Sequence, residues 1–278
     1  METISELRKI CQTTAKKDRS NVYMRYVCRS VSIYLTRMLL STKISANQVS
    51  FAMIVTGILS TCFFLFSSTV LFLIGAILMQ MWYLLDNMDG EVARYRQYQV
   101  TKTIITDKSD SALSGAYYDS INHYIMNLLV PSTIGFGLFK KINVELYLLI
   151  GIAASLGQVL LLAMHDARHR VILTYLRKYD RVEMIKSGTV QGEPKKKRRS
   201  IWHLVFMVCH YTMTYPTVMN LVLVAAILDL AWPVVNWRSL LLTYLALSSA
   251  LVASTIVGRN IVRRIIDKEV QTQYRVFD

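Results

Sequence analysis

Apolar residues in this chain come in long blocks, not in the strict alternation of a half-buried strand. A bilayer hydrocarbon core of about 30 Å is crossed by about 20 mostly apolar residues in helical conformation. Six blocks reach that length: about 49–66, 69–85, 117–139, 144–164, 201–230 and 240–257. The third carries polar residues at its start, and the fifth is longer than one crossing needs. Ahead of the first block, residues 20–48 mix apolar and basic positions. Val22, Tyr23, Tyr26, Val27, Val31, Ile33, Tyr34 and Met38 recur at near-helical spacing, with Arg25, Arg29 and Arg37 between them. That pattern predicts an amphipathic helix lying on the inner membrane surface, the alternative being a solvated cytosolic helix. The expected fold is an all-α, polytopic membrane protein. A cytosolic segment 1–48 precedes a six-helix domain 49–258, which contains a cytosolic loop 166–200, and a cytosolic tail 259–278 follows.

Composition supports the membrane reading. Of 278 residues, 53% are hydrophobic and only 18% charged, against roughly 25% charged in a soluble domain, and the mean hydropathy is +0.35. Such a chain is too apolar to be disordered. Its four cysteines (Cys11, Cys28, Cys62 and Cys209) are scattered without a C-x-x-C pair, which excludes a disulfide scaffold and a cysteine zinc site. They read as reduced packing residues.

The net charge of +14 would suit nucleic acid if it formed one soluble basic face. Instead it lies in blocks between the apolar runs. Segments 1–48, 90–116, 166–200 and 259–278 hold nine, four, eleven and five of the 32 lysines and arginines, and the opposite-side loops hold only Lys140, Lys141 and Arg238. Basic residues mark the cytoplasmic side, so both termini and both polar loops are expected there, in agreement with an even number of spans. The run Pro194–Arg199 resembles a nuclear import signal. Next to a span it reads better as a topology determinant that contacts anionic lipid. The first twenty residues have no apolar core or cleavage site, so no signal peptide is expected.

The chemistry concentrates at the cytosolic end of the second block, in Asp86-Asn-Met-Asp89-Gly90-Glu-Val-Ala93-Arg94. Asp86 and Asp89 are three apart and share a helix face. Carboxylates at the mouth of a span are costly unless they meet a cation or water, and hard divalent ions such as Mg²⁺ or Mn²⁺ favour carboxylate oxygens. Gly90 allows close approach to the backbone, Ala93 keeps the same face slim, and Arg94 offers a planar fork for phosphate oxygens. Further on, Gly115-Ala-Tyr-Tyr-Asp119-Ser-Ile-Asn-His123 places Asp119 and His123 four apart at the start of the third block. The second and third spans are antiparallel neighbours, so Asp86, Asp89, Asp119 and His123 are expected to meet in one cytosol-facing cavity. A cavity of that kind suits a two-metal site for phosphoryl transfer.

These residues resemble the CDP-alcohol phosphotransferases, whose pattern is D-x2-D-G-x2-A-R, a short spacer, then G-x3-D-x3-D. Asp86, Asp89, Gly90, Ala93, Arg94, Gly115 and Asp119 match it. Ile44-Ser-Ala-Asn47-Gln-Val-Ser50 is similar to the family's I-T-P-N-x-V-T segment, with Ala46 for proline and Ser50 for threonine. The resemblance implies a six-span enzyme that moves a substituted phosphate from a CDP-linked donor to a lipid or small alcohol acceptor with release of CMP, as in phospholipid synthesis. It also implies one or two Mg²⁺ or Mn²⁺ ions on Asp86, Asp89 and Asp119, and a homodimer. Gly90, Ala93, Arg94, Gly115 and Asn47 would serve the CDP moiety. There are two departures. Twenty residues separate Arg94 from Gly115, where the family has about eight, and His123 replaces the last aspartate. That aspartate's expected roles are metal binding and deprotonation of the acceptor. Imidazole can perform both, though it is a poorer ligand for Mg²⁺.

Weaker candidates remain. His203 and His210 share a face of the fifth block and are candidates to line an acceptor cavity. His165, Asp166, Arg168, His169 and Arg170 cluster at the end of the fourth, where they suit an anionic acceptor or merely set topology. Asp229, near the outer end of the fifth block, is expected to be solvated, and Asp107 and Asp110 to be loop carboxylates. Two rival readings are a cation-linked transporter, which would show inverted repeats or broken mid-membrane helices, and a silent nucleotide-binding homologue acting as a scaffold.

Overall fold

The computed structural model describes residues 2–12, 22–104, 113–179, 181–184 and 200–277. Asp107, Asp110 and the basic run 194–199 lie outside them. The described chain is helical throughout, apart from one short ribbon. Helix α1 (Ile4–Cys11) is followed by a π-helical turn (Met24–Cys28) that leads into α2 (Arg29–Leu40). Then come α3 (Ala46–Phe64), α4 (Thr69–Thr101), α5 (Leu113–Ile142) and α6 (Leu146–Leu176). After them come α7 (Ile201–Thr212), α8 (Thr217–Ala231), α9 (Trp237–Arg263) and α10 (Ile265–Gln273). Strands β1 (Arg181–Met184) and β2 (Tyr274–Phe277) pair antiparallel, Arg181 opposite Phe277, and so join the loop after α6 to the C-terminal tail.

Helices α3, α4, α6 and α9 are each long and apolar enough to cross a membrane. Only 22–39% of their most apolar windows is buried inside the protein. Phe51, Leu149, Leu156 and Leu247 point outward and are exposed. So continuous an apolar exterior is unstable in water and is consistent with a membrane protein. α5 is not among the four: Asn122, His123, Asn127, Pro131, Ser132 and Thr133 interrupt its apolar run. The long fifth block is not one straight helix. It breaks between α7 and α8, which meet at 83°. The break falls at Pro216, which has no N–H to donate and disfavours helical backbone in the residue before it.

Two helices run past their apolar blocks. α4 has 33 residues, about 50 Å at 1.5 Å per residue, and carries the whole Asp86–Arg94 segment on its extension. Ser68 caps its start by accepting from Leu71 N–H, and Ser45 and Gln48 form a capping box on α3. The core between helices is built from Met53, Phe72, Met79, Trp82, Met126 and Val222. Small residues bring α5 and α6 close. A Cβ added to Gly135 would lie 2.9 Å from Gly151 Cα and 2.6 Å from the Tyr147 carbonyl, so only glycine fits. Pro131 leaves the α5 ladder one donor short, and Ser155 of α6 donates to the nearby Leu128 carbonyl at 2.7 Å.

Asp229 is not solvated. It is 4% exposed and accepts from Arg238 Nε at 2.6 Å, with Lys141 Nζ at 3.6 Å. Arg238, itself buried, also donates to the Ser67 carbonyl and the Thr69 hydroxyl and stacks on Phe72. The charged residues at this end, opposite Asp86, therefore form a clasp between α8, α9, α5 and the α3–α4 turn.

Candidate functional site

α4 and α5 are not the packed neighbours expected of the second and third blocks; both pack on α3, and across that shared partner three of the expected side chains come together. His123 Nε2 lies 3.3 Å from Asp119 Oδ1, one turn earlier on α5, and 3.8 Å from Asp86 Oδ1 across on α4. One ligand atom from each of the three lies within 4.8 Å of the other two, a spacing that one divalent cation can bridge. The side chains of Asp86, His123 and Asp119 are 14%, 24% and 50% exposed, so the cluster is recessed and open on the Asp119 side. Two carboxylates and one imidazole are a donor set that accepts Mn²⁺ or Zn²⁺ readily and Mg²⁺ less well.

Two aromatic residues that sequence reasoning missed fix the imidazole. The Trp82 ring, one turn before Asp86, stands edge-on to His123 at 5.6 Å, and the Tyr215 ring lies 5.8 Å from it. Trp82 and Tyr215 also touch each other at 5.4 Å. Tyr215 belongs to the short connection between α7 and α8, so the break in the fifth apolar block delivers a wall of the site. The only signal in the sequence was the Tyr-Pro pair inside an apolar run. Trp82 Nε1 and the Tyr215 hydroxyl are both buried without a hydrogen-bond partner among the described residues.

The other expected residues are placed differently. Asp89 stands outside the three-residue cluster. Its Oδ2 accepts from the Ser50 hydroxyl of α3 at 2.7 Å. This links the Asn47–Ser50 segment to the α4 motif through Ser50, while Asn47 itself is exposed in the first turn of α3. Arg94 turns away from the cluster. Its Nε donates to the Cys11 carbonyl at the end of α1. Gly90 makes room for that guanidinium, since a Cβ there would come within 3.2 Å of Arg94 Nη1. Ala93 and Gly115 are exposed, and a Cβ on Gly115 would meet open space. Arg94, through Nε, and Gly90 therefore brace the N-terminal helix.

Glu91, another residue the motif did not single out, anchors the same brace. It is 2% exposed and accepts from Gln12 Nε2 (2.7 Å), the Ser32 hydroxyl (2.7 Å) and the Thr36 hydroxyl (2.6 Å). Leu7, Ile10, Cys11, Ile33, Val92 and Tyr95 fill the space between α1, α2 and α4. Burial pushes the Cys11 thiol up to about 12.

Beside Asp119, Ser120 lines an open groove of about 380 Å³ with Asp166, His169, Arg170, Thr174 and Arg177 of α6 and its end. Arg168 is not free to join it, being paired with Glu269 of α10. His203 and His210 are exposed on α7. No protein-family model matches the chain, and no curated protein matches it.

Proposed function

We propose that the protein is a metal-dependent phosphotransferase of the CDP-alcohol type. It would transfer a substituted phosphate from a CDP-linked donor to an alcohol and release CMP. The observation that carries this reading is the meeting of Asp86, Asp119 and His123, on the two segments whose spacing resembles that family. Asp86 and Asp119 hold the ion, Mg²⁺ or Mn²⁺, with His123 at their side. When bound, the ion neutralises charge on the pyrophosphate and the leaving CMP.

The chain's own residues do the rest. The acceptor O–H attacks the phosphorus next to the donor alcohol, and the P–O bond to CMP breaks. His123 takes the acceptor's proton on its imidazole. The contact with Asp119 orients the imidazole and stabilises it once protonated. Trp82 and Tyr215 keep the ring in one orientation and exclude water from its far side. Asp89 stays with Ser50 and sets the spacing of α3 against α4, and Arg94 holds α1 in place.

In the membrane, α3, α4, α5, α6, the bent α7–α8 pair and α9 make six crossings, with both termini and the site on the cytoplasmic side. The basic segments flanking the site support that orientation. The helical stretch 22–40 lies on the inner leaflet. Its exposed Val22, Tyr26, Val31, Tyr34 and Met38 support this placement. A lipid partner, donor or acceptor, reaches the site from that leaflet, and a second copy of the chain completes a homodimer.

The test is CMP release by purified protein in detergent with Mg²⁺ or Mn²⁺. CDP-diacylglycerol, CDP-choline, CDP-ethanolamine and CDP-glycerol are offered against mixed alcohols. Metal-dependent release, abolished by Asp86→Asn or Asp119→Asn with folding intact, is the expected result. Absence of CMP from every pair, with no binding of any CDP compound, would sink the reading.

A further inference from the structure

Outside the Asp86–Asp119–His123 cluster, α6 carries a second arrangement of metal-capable side chains. His165 and His169 are one turn apart, and their rings stand edge to face at 4.5 Å between centroids. Their Nε2 atoms are 3.2 Å apart. Two imidazole nitrogens bound to one zinc ion at about 2.0–2.1 Å and near-tetrahedral angle are about 3.3 Å apart. The pair already has the bite of a chelate. Both rings are exposed, so an ion reaches them from solvent.

The hydrogen bonding around His165 favours the ligating form. Its Nδ1 faces Asp166 Oδ1 at 3.5 Å, and Asp166 Oδ2 is held by the Tyr124 hydroxyl at 2.8 Å. A carboxylate on Nδ1 keeps the proton there and leaves Nε2 a lone pair, the usual second-shell arrangement of a metal-bound histidine. Without metal, the His169 Nε2–H donates to that lone pair. With metal, His169 moves its proton to Nδ1, and both rings stay neutral ligands.

The surrounding charge selects the ion. Arg170 and Arg177 line the same groove as His169 and oppose a hard cation held by charge alone. Ions that form strong bonds to neutral imidazole remain, namely Zn²⁺, Ni²⁺ and Cu²⁺. We propose that His165 and His169, oriented by Asp166 and Tyr124, form a surface site for a borderline transition-metal ion, separate from the Asp86–Asp119–His123 cluster, with water filling the remaining positions. The site does not depend on the phosphotransferase reading.

The experiment uses the full chain without a polyhistidine tag, purified in detergent and stripped with a chelator. Cu²⁺ is titrated and followed by electron paramagnetic resonance, and Zn²⁺ by competition with a chromophoric chelator. The expected result is a Cu²⁺ signal with superhyperfine structure from two imidazole nitrogens, distinct from any one-imidazole signal of the Asp86–Asp119–His123 cluster, retained in His123→Ala and lost in both His165→Ala and His169→Ala. Asp166→Asn lowers the affinity on the order of 10-fold. The two histidines are exposed, so their variants keep the wild-type helical circular dichroism, which is checked alongside. The same signal in the double variant His165→Ala/His169→Ala overturns the proposal. So does its loss in His123→Ala, or no binding at tens of micromolar Cu²⁺.

Discussion

Replacing Glu91 by Gln tests whether the N-terminal helix is held by the Gln12 hydrogen bond to this buried carboxylate or simply by apolar contact. The carboxylate accepts two bonds on Oε1, from Gln12 and Ser32, and one on Oε2, from Thr36. The amide keeps the two Oε1 bonds without their ionic component and presents an N–H₂ to Thr36, whose hydroxyl must turn to accept. A hydrogen bond to a charged group contributes about 1.5–3 kcal/mol and a neutral one about 1. Only the Gln12 bond is broken when α1 undocks, because Ser32 and Thr36 belong to α2, so the weakened bond costs α1 about 1 kcal/mol. At 1.4 kcal/mol per factor of ten, undocking of α1 becomes about 5-fold more frequent. Cys11 reports it. Docked, its thiol is buried and pushed up to about 12, which leaves almost no reactive thiolate. Undocked, it returns to about 8.5 and meets the solvent. Maleimide labelling of Cys11, read by peptide mass spectrometry, should then accelerate about 5-fold in Glu91→Gln, since labelling of a briefly opened state follows its population. Cys209, buried on α7, should keep its wild-type rate. An unchanged Cys11 rate would show that the bond does not hold α1. Equal acceleration of Cys209 would show that it serves the whole fold and not this docking.

Asp229→Ala leaves Arg238 buried and facing Lys141, and should destabilise by about 3–5 kcal/mol, a fall of at least about 6 °C in Tm in detergent. Asp229→Leu combined with Arg238→Met should recover most of it, and a double variant no better than the single would refute the clasp. Tyr215→Phe removes a buried hydroxyl that makes no hydrogen bond among the described residues, so Tm should stay within about 1–2 °C; a larger drop would reveal a bond to that oxygen. If His123 carries the proton, His123→Ala should lower CMP release by about 10²-fold or more. His123→Asp, which restores the carboxylate of the resembling pattern, should keep more activity than alanine, and equal loss in both would remove His123 from the proton's path.

The parts legible in the sequence were those set by local spacing. Asp119 and His123 are four apart, which periodicity places on one face of α5; Asp86 reaches them from α4, which shares α3 with α5 as its packing partner. The long apolar blocks likewise announced a membrane-type helical exterior. What was illegible depended on partners distant in the chain. Asp89 shares a face with Asp86, but its contact with Ser50, 39 residues earlier, is not written in that spacing. Nor is the bond from Arg94 Nε to the Cys11 carbonyl, 83 residues away. Asp229 looked solvated because a lone carboxylate near the end of an apolar run is costly to bury, and two cations from α9 and α5 cancel that cost.

The break between α7 and α8 joins these failures to the site. Hydropathy averages over a window, and Thr-Met-Thr-Tyr-Pro inside a 30-residue apolar block barely lowers the mean. Proline geometry is a different kind of signal: it acts on one backbone position, whatever the surrounding apolarity. A straight helix over 201–230 would carry Tyr215 past the site on its flank. With the bend, the connection itself is the wall behind His123. The residue that departs from the family pattern, His123, is thus supported on both sides by aromatic rings, Trp82 and Tyr215. An aspartate in its place would leave part of that support without a ring to pack against. The histidine and the bend therefore belong to one arrangement. Variants at Trp82 or Tyr215 should affect a wild-type imidazole more than they affect the aspartate of His123→Asp.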